Sequence, residues 1–168
     1  HNDDGGAIHV VNAGIKCEKT VFQDCTSEKS GGAVYINNNY NMDNNITFNN
    51  INFANNQAQI GGAIYIYASS YRTIVSINNC NFVNNVATLP VVAGTKSGGS
   101  AIFLTARNGN LNNNKYSNHQ DSSSVVRIYN KYDQETKLLD LDTFKISNCI
   151  FERNSNSKSC LYYTGASN

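Results

Sequence analysis

The chain is short of charge. Asp, Glu, Lys and Arg make up 15% of its 168 residues, against roughly 25% in an average soluble protein. They nearly cancel, at a net +1, so no strong field draws in nucleic acid or an anionic membrane. Tryptophan is absent and proline occurs once, which leaves no room for Pro-rich linkers. No apolar run approaches the ~20 residues of a bilayer-spanning helix, so direct membrane insertion by this stretch is not expected. The stretch opens on the polar His1-Asn2-Asp3-Asp4 and contains no secretory h-region, so it reads as a mature or excised piece of something longer. Cysteine is odd in number, at 5, and has no Cys-x-x-Cys spacing. It reads as small core hydrophobe rather than as a disulfide framework or zinc site. His1, His9 and His119 stand in unrelated contexts, and no Gly-x-Ser-x-Gly nucleophile motif occurs. No metal or other cofactor is implied.

What is present is repetition. Gly61-Gly62-Ala63-Ile64-Tyr65-Ile66 is nearly copied at Gly31 to Ile36 and Gly5 to Val10, and more loosely at Gly99 to Leu104. Ser123 to Ile128 and Lys158 to Tyr163 keep only its shape. Between these hexapeptides runs a second pattern: apolar, any, Asn, small or apolar, any, Phe, any, any, Asn. It is clearest at Ile77 to Asn85, and recurs at Phe48 to Asn56, Ile146 to Asn154 and, weakly, Cys17 to Cys25. Leu111 to His119 fits with Tyr and His substituted. That predicts a decayed coil over the long interval after Gly99; the competing reading is one coil with an excursion over 105–142.

Alternation within the hexapeptide assigns faces. Ile8, Val34, Ile64, Ile102, Val126 and Leu161 form one aliphatic column, and Val10, Ile36, Ile66, Leu104, Ile128 and Tyr163 the next. These are predicted to be inward and wholly inaccessible. Ile15, Ile46, Val75 and Phe144 fill a second strand, and Phe22, Phe53, Phe82, Tyr116 and Phe151 a third. Three short strands per repeat, rich in β-branched and aromatic residues, predict an all-β, right-handed parallel β-helix of about five coils. Residues 1–168 read as a single segment of a longer repeat protein. The glycine pairs suit tight corners under the next coil. The Asn columns 50, 79, 113, 148 and 56, 85, 154 suit corners with left-handed dihedrals and stacked amides. Loops are expected at 37–45, 67–72, 86–98 and 129–142.

The alternation of Gly-Gly-Ala-[Ile/Val] (Gly5 to Ile8, Gly31 to Val34, Gly61 to Ile64) with Phe-x-x-Asn (Phe53 to Asn56, Phe82 to Asn85, Phe151 to Asn154) resembles the repeats of the polymorphic membrane protein family, the chlamydial adhesins and their relatives in some protists. Phe22 to Cys25 and Tyr116 to His119 depart from it. The resemblance implies an extracellular or cell-surface, adhesin-like passenger without catalytic residues. The residues themselves offer a candidate ladder on the opposite face of the hexapeptide: His9, Tyr35, Tyr65, Phe103 and Tyr162, with Arg127 in the same column. Beside it run Ala7, Ala33, Ala63, Ala101, Val125 and Cys160, the alanines read as bare neighbours that let a partner approach. Such a row suits a protein or glycan surface, or a neighbouring domain of the same parent; the plainer reading is that ladder stacking only stabilises the sheet. The alternative is a carbohydrate-active enzyme, a lyase or glycoside hydrolase. It would need paired carboxylates, for which only Asp140 and Asp142 share a face, and a solvated loop end explains those equally. Asn45-Ile46-Thr47 is a candidate N-glycosylation site at Asn45.

Overall fold

The computed structural model describes residues 3–38, 43–68, 70, 72–89, 92, 95–129, 144–155 and 159–164. Six strands of the hexapeptide motif form the first sheet, in the order β1 (Ile8–Val11), β4 (Val34–Asn38), β8 (Ile64–Ala68), β12 (Ile102–Ala106), β15 (Val126–Tyr129) and β18 (Leu161–Thr164). The second sheet runs β2 (Ile15–Glu18), β5 (Ile46–Asn49), β9 (Ile74–Asn78), β13 (Asn108–Asn112) and β16 (Phe144–Ser147). The third runs β3 (Val21–Gln23), β6 (Asn52–Ala54), β10 (Asn81–Val83), β14 (Lys115–Ser117) and β17 (Ile150–Glu152). All pairings are parallel, and the chain visits the three sheets in strict rotation, as a β-solenoid must. Among the described residues there is no helix.

Register follows the columns read from the sequence. Val34 faces Ile64, which faces Ile102, then Val126, then Leu161. The decayed repeat is a coil of its own, because β15 lies between β12 and β18. Cys80 and Cys149 are accordingly separated by Asn114, whose Oδ1 accepts the Cys80 N–H at 2.9 Å, and all five cysteines are free. The prediction that both inward columns are inaccessible holds only for the middle coils. Ile8, Val10 and Leu161 are half-buried, and Tyr163 is 59% exposed. End coils have a neighbour on one side only, so their inward side chains meet water.

The core is a stack of like on like. Phe22, Phe53, Phe82, Tyr116 and Phe151 pile at centroid separations of 5.2, 4.9, 5.0 and 4.7 Å. Offset pairs of this kind add about 0.5–1.5 kcal/mol each beyond their buried area.

The corners correct the sequence reading in one respect. Asn50, Asn79, Asn113 and Asn148 do have positive φ, with Lys19 in the same place. In the other Asn column the left-handed residue is the preceding one: Asp24, Asn55, Asn84, Asn118 and Arg153. Asn56 and Asn85 themselves turn inward and are wholly buried. There they replace missing ladder bonds. Asn56 Nδ2 donates to the Phe22 carbonyl at 3.0 Å, and Asn85 Nδ2 to that of Phe53 at 2.9 Å. Their Oδ1 atoms accept the N–H of Cys25 and of Asn56 respectively, both at 3.0 Å.

His119 occupies this Asn column in the decayed coil. Its Nδ1 lies 2.9 Å from the Asn85 carbonyl, so Nδ1 carries the proton and Nε2 is bare, with no partner among the described residues. Burial pushes the His119 pKa below its ordinary value. The unfolded chain therefore takes up a proton that the native state refuses. Stability is full above the unfolded histidine value of about 6.5 and falls as pH drops through that value toward the native one. His119→Asn restores the column and is expected to abolish that slope and to raise the urea midpoint at pH 5.5 more than at pH 7.5. Equal shifts at both pH values would contradict this reading.

The expected loop at 86–98 begins with structure instead. Val86–Ala87 is a short strand, β11, paired with β7 (Gln57–Ala58). One coil further on, a single side chain stands in for this rung. Asp121 Oδ2 accepts the Ala87 N–H at 2.9 Å, and its Oδ1 accepts the Ser100 hydroxyl and the Ser123 N–H at 2.8 Å each. Residues 39–42, the middle of the expected 37–45 loop, and 130–143, which hold nearly all of the 129–142 loop and the Asp140–Asp142 pair, lie outside the described residues.

Candidate functional site

The outer face of the first sheet carries the ladder. His9 lies tilted against Tyr35 at 4.8 Å and 44°, while Tyr35 stacks on Tyr65 at 5.2 Å and Tyr65 on Phe103 at 5.1 Å. The register places these rings on successive strands, one over the next. At Arg127 the ring series is interrupted by a guanidinium, whose carbon sits 4.1 Å from the Tyr162 ring centroid. A second outward column, two residues further along each strand, escaped the sequence reading. Tyr67 and Tyr129 belong to it. Phe103 contacts the Tyr129 ring at 6.3 Å, and Arg127 lies 5.5 Å from the same ring. The signal was available, because Tyr67 and Tyr129 have the same parity as Tyr65 and Arg127.

The ladder is not an open row, and the expectation is corrected there. Tyr65 is 8% exposed and Phe103 and Arg127 are at 0%. Tyr65, Phe103 and Tyr129 form a small apolar cluster of their own, with Tyr35, Ile60 and Tyr67 packed against it. Lys96 Nζ sits 3.8 Å from the Tyr67 ring centroid. His9 is exposed and Tyr35 and Tyr162 are half-buried, so the ladder is accessible at its two ends. Burial pushes the phenol pKa of Tyr35 up, and that of Tyr65 further. Neither hydroxyl therefore ionises in the physiological range. The guanidinium nitrogens of Arg127 have no hydrogen-bond acceptor among the described residues; what contacts the cation is aromatic faces.

The alanine column is also corrected. Ala33, Ala63 and Ala101 are wholly buried and belong to the central core, with Val125 beside them. Strict alternation fails at the glycine corner, where the Ala7 and Ile8 N–H groups both donate to the Ala33 carbonyl. These side chains are therefore not available to a partner. Asn45 is exposed immediately before β5, with Thr47 half-buried on that strand.

Several of the described carboxylates engage other groups. Glu152 pairs with Lys115 at 2.6 Å and Glu18 with Lys16 at 3.1 Å. Asp24 accepts from Gln23 and Asn55 at 3.0 and 3.1 Å. Lys115 holds the Glu152 carboxyl below its usual range. Among the described residues no three of His, Cys, Asp and Glu come together in a way that could hold a metal ion.

Residues 50–67 match the family model of the Chlamydia polymorphic membrane protein repeat. The stretch starts at the left-handed Asn50, passes through β6 and β7, and ends at Tyr67 on β8. It thus contains one full Phe-x-x-Asn corner and one Gly-Gly-Ala-Ile strand. Comparison with curated proteins and comparison with solved structures gave no match.

Proposed function

We propose, from a parallel β-solenoid that carries a polymorphic-membrane-protein repeat, that the chain is a segment of an extracellular or cell-surface protein whose work is contact rather than catalysis. Its partner is a protein or glycan surface, or a neighbouring domain of its own parent. The observation that carries this is the ladder: three stacked rings with His9 tilted against the first, on a regular outer face, reachable at His9 and Tyr35. Stiff aromatic side chains bury much apolar area at low entropy cost. The carbohydrate-active alternative gains no support from Glu18, Asp24, Asp121 and Glu152, which are held in ion pairs or hydrogen bonds.

The test uses beads coated with the protein and layered on cultured cells. His9→Ala with Tyr35→Ala is expected to lower attachment about tenfold and to leave the circular dichroism spectrum unchanged. Tyr65→Ala is a different matter, because its ring lies inside the small cluster, and it should cost about 2–4 kcal/mol of stability. Undiminished attachment of the folded double variant would refute the ladder as the contact surface.

A further inference from the structure

The second sheet has an outer face unlike that of the first. Its register aligns Lys16, Thr47, Ser76, Asn110 and Lys145 in one outward column. At one strand spacing per rung the strip is about 19 Å long. It has a cation at each end and hydroxyl or amide groups between. Toward the Lys145 end it opens into a cleft of about 480 Å³ lined by Asp43, Arg72, Ile74, Asn108, Asn110 and Lys145, with the Gly109 backbone.

Three features point to what fits there. Among the described lining residues Arg72 and Lys145 outnumber the one acid, Asp43, whose oxygen lies 3.8 Å from Arg72, an excess of one positive charge. Lys145 is exposed and makes no ion pair among the described residues. The Asn110 Oδ1 is buried without a donor, and its Nδ2 reaches Ser76 Oγ only at 3.5 Å. That oxygen is closed to solvent, so a ligand meets the half-buried Asn110 elsewhere, on an amide whose one hydrogen bond is long.

We infer that this strip and cleft bind a linear saccharide bearing anionic groups, with Lys145 on the acid and the polar rungs Thr47, Ser76 and Asn110 facing its ring hydroxyls. Strand-wise repetition presents a polar group at each rung, and Ile74, 49% exposed, supplies an apolar patch for a ring face. A peptide adding as a strand has no place here, because β9 and β13 both have neighbours on each side. The site is distinct from the aromatic ladder, on another sheet, and does not depend on it.

The experiment is calorimetric titration of the protein with an oligogalacturonate, a sulfated oligosaccharide of equal length, a neutral oligosaccharide of equal length and poly-aspartate. Tighter binding of either acidic saccharide than of the neutral one is expected, with the carboxylated and sulfated arms showing which anion is preferred. Lys145→Ala should weaken that binding about tenfold and Lys145→Glu should remove it. Asn110→Ala should weaken the neutral and acidic saccharides by the same factor. His9→Ala with Tyr35→Ala should leave the titration unchanged, so failure here and failure of the ladder are separable. No preference for acidic over neutral saccharide would overturn the inference. So would a Lys145→Glu protein that is folded and binds normally, or poly-aspartate binding as tightly as the saccharide.

Discussion

Gly62→Ala is expected to unfold the solenoid under conditions where the parent protein is stable, a loss on the order of 4 kcal/mol or more. The reason is space rather than dihedral strain. A Cβ at Gly62 would stand 2.2 Å from the Ser100 carbonyl oxygen, 2.5 Å from that of Val86 and 2.6 Å from the Val86 carbonyl carbon. All three are main-chain atoms of the next coil, held by sheet hydrogen bonds, so none can step aside. The same column shows why the rule lapses later. Gly6 and Gly32 meet carbonyls of the next coil at 2.2 and 2.1 Å. Ser100 follows them in the stack, at a level where the Asp121 side chain takes the place of the β7 and β11 backbone, and its hydroxyl bonds that carboxylate. Ser100→Gly should therefore cost far less than Gly62→Ala. Urea denaturation followed by circular dichroism decides the matter; equal midpoints for Gly62→Ala and the parent would mean the coils are less tightly stacked than described.

Asn85→Ala is the second large effect, about 3–6 kcal/mol. Three hydrogen bonds disappear: one to the Phe53 carbonyl and two from the main-chain and side-chain nitrogens of Asn56. The abandoned groups are buried, and each unpaired buried donor or acceptor costs about 1–3 kcal/mol. Its neighbour is the control. Asn84 is exposed, bonds Asn55 through its amide at 2.9 Å and has φ 51°; Asn84→Ala should cost about 1 kcal/mol, mainly for the left-handed backbone. Thermal melts of the two variants should separate clearly. Equal losses would place the stabilising amide on the surface rather than in the core.

Much of this fold is legible in the sequence, and the illegible parts share a cause. The hexapeptide alternates cleanly, so the register of the first sheet can be read from Val34, Ile64 and Ile102 alone. Tyr116 keeps the aromatic stack going, and that identifies the decayed coil although its glycines are gone. Alternation is silent where the backbone does not alternate, so Ala33 and Ala63 were placed on the wrong face. Asn55 and Asn56 are chemically identical neighbours. Which one turns left-handed and which one turns inward depends on the backbone path at the corner, not on residue type. The pairs Gln57–Ala58 and Val86–Ala87 are too short to have a period. The burial of Phe103 depends on what packs over its strand, which no local pattern encodes. The Lys16-to-Lys145 strip was invisible for another reason. Its members have nothing in common but their position, and only the register assembles them.

The corner amides have a direction. Asn56 donates to Phe22, Asn85 to Phe53, Asn114 to Ile77 and Asn154 to Tyr116. On the surface Asn55 donates to Asp24, Asn84 to Asn55 and Asn113 to Asn79. Each of these donors reaches a coil that precedes it in the chain. A polypeptide emerging amino end first would thus lay each new coil on a template whose acceptors for these amides are already in place; of these donors Asn56 Nδ2 also reaches forward, to Asn85 Oδ1. Ordered growth of this kind needs no search among distant partners, since nearest neighbours alone interact. The rod has a growing front, and its handed-down amides make that front the carboxyl end.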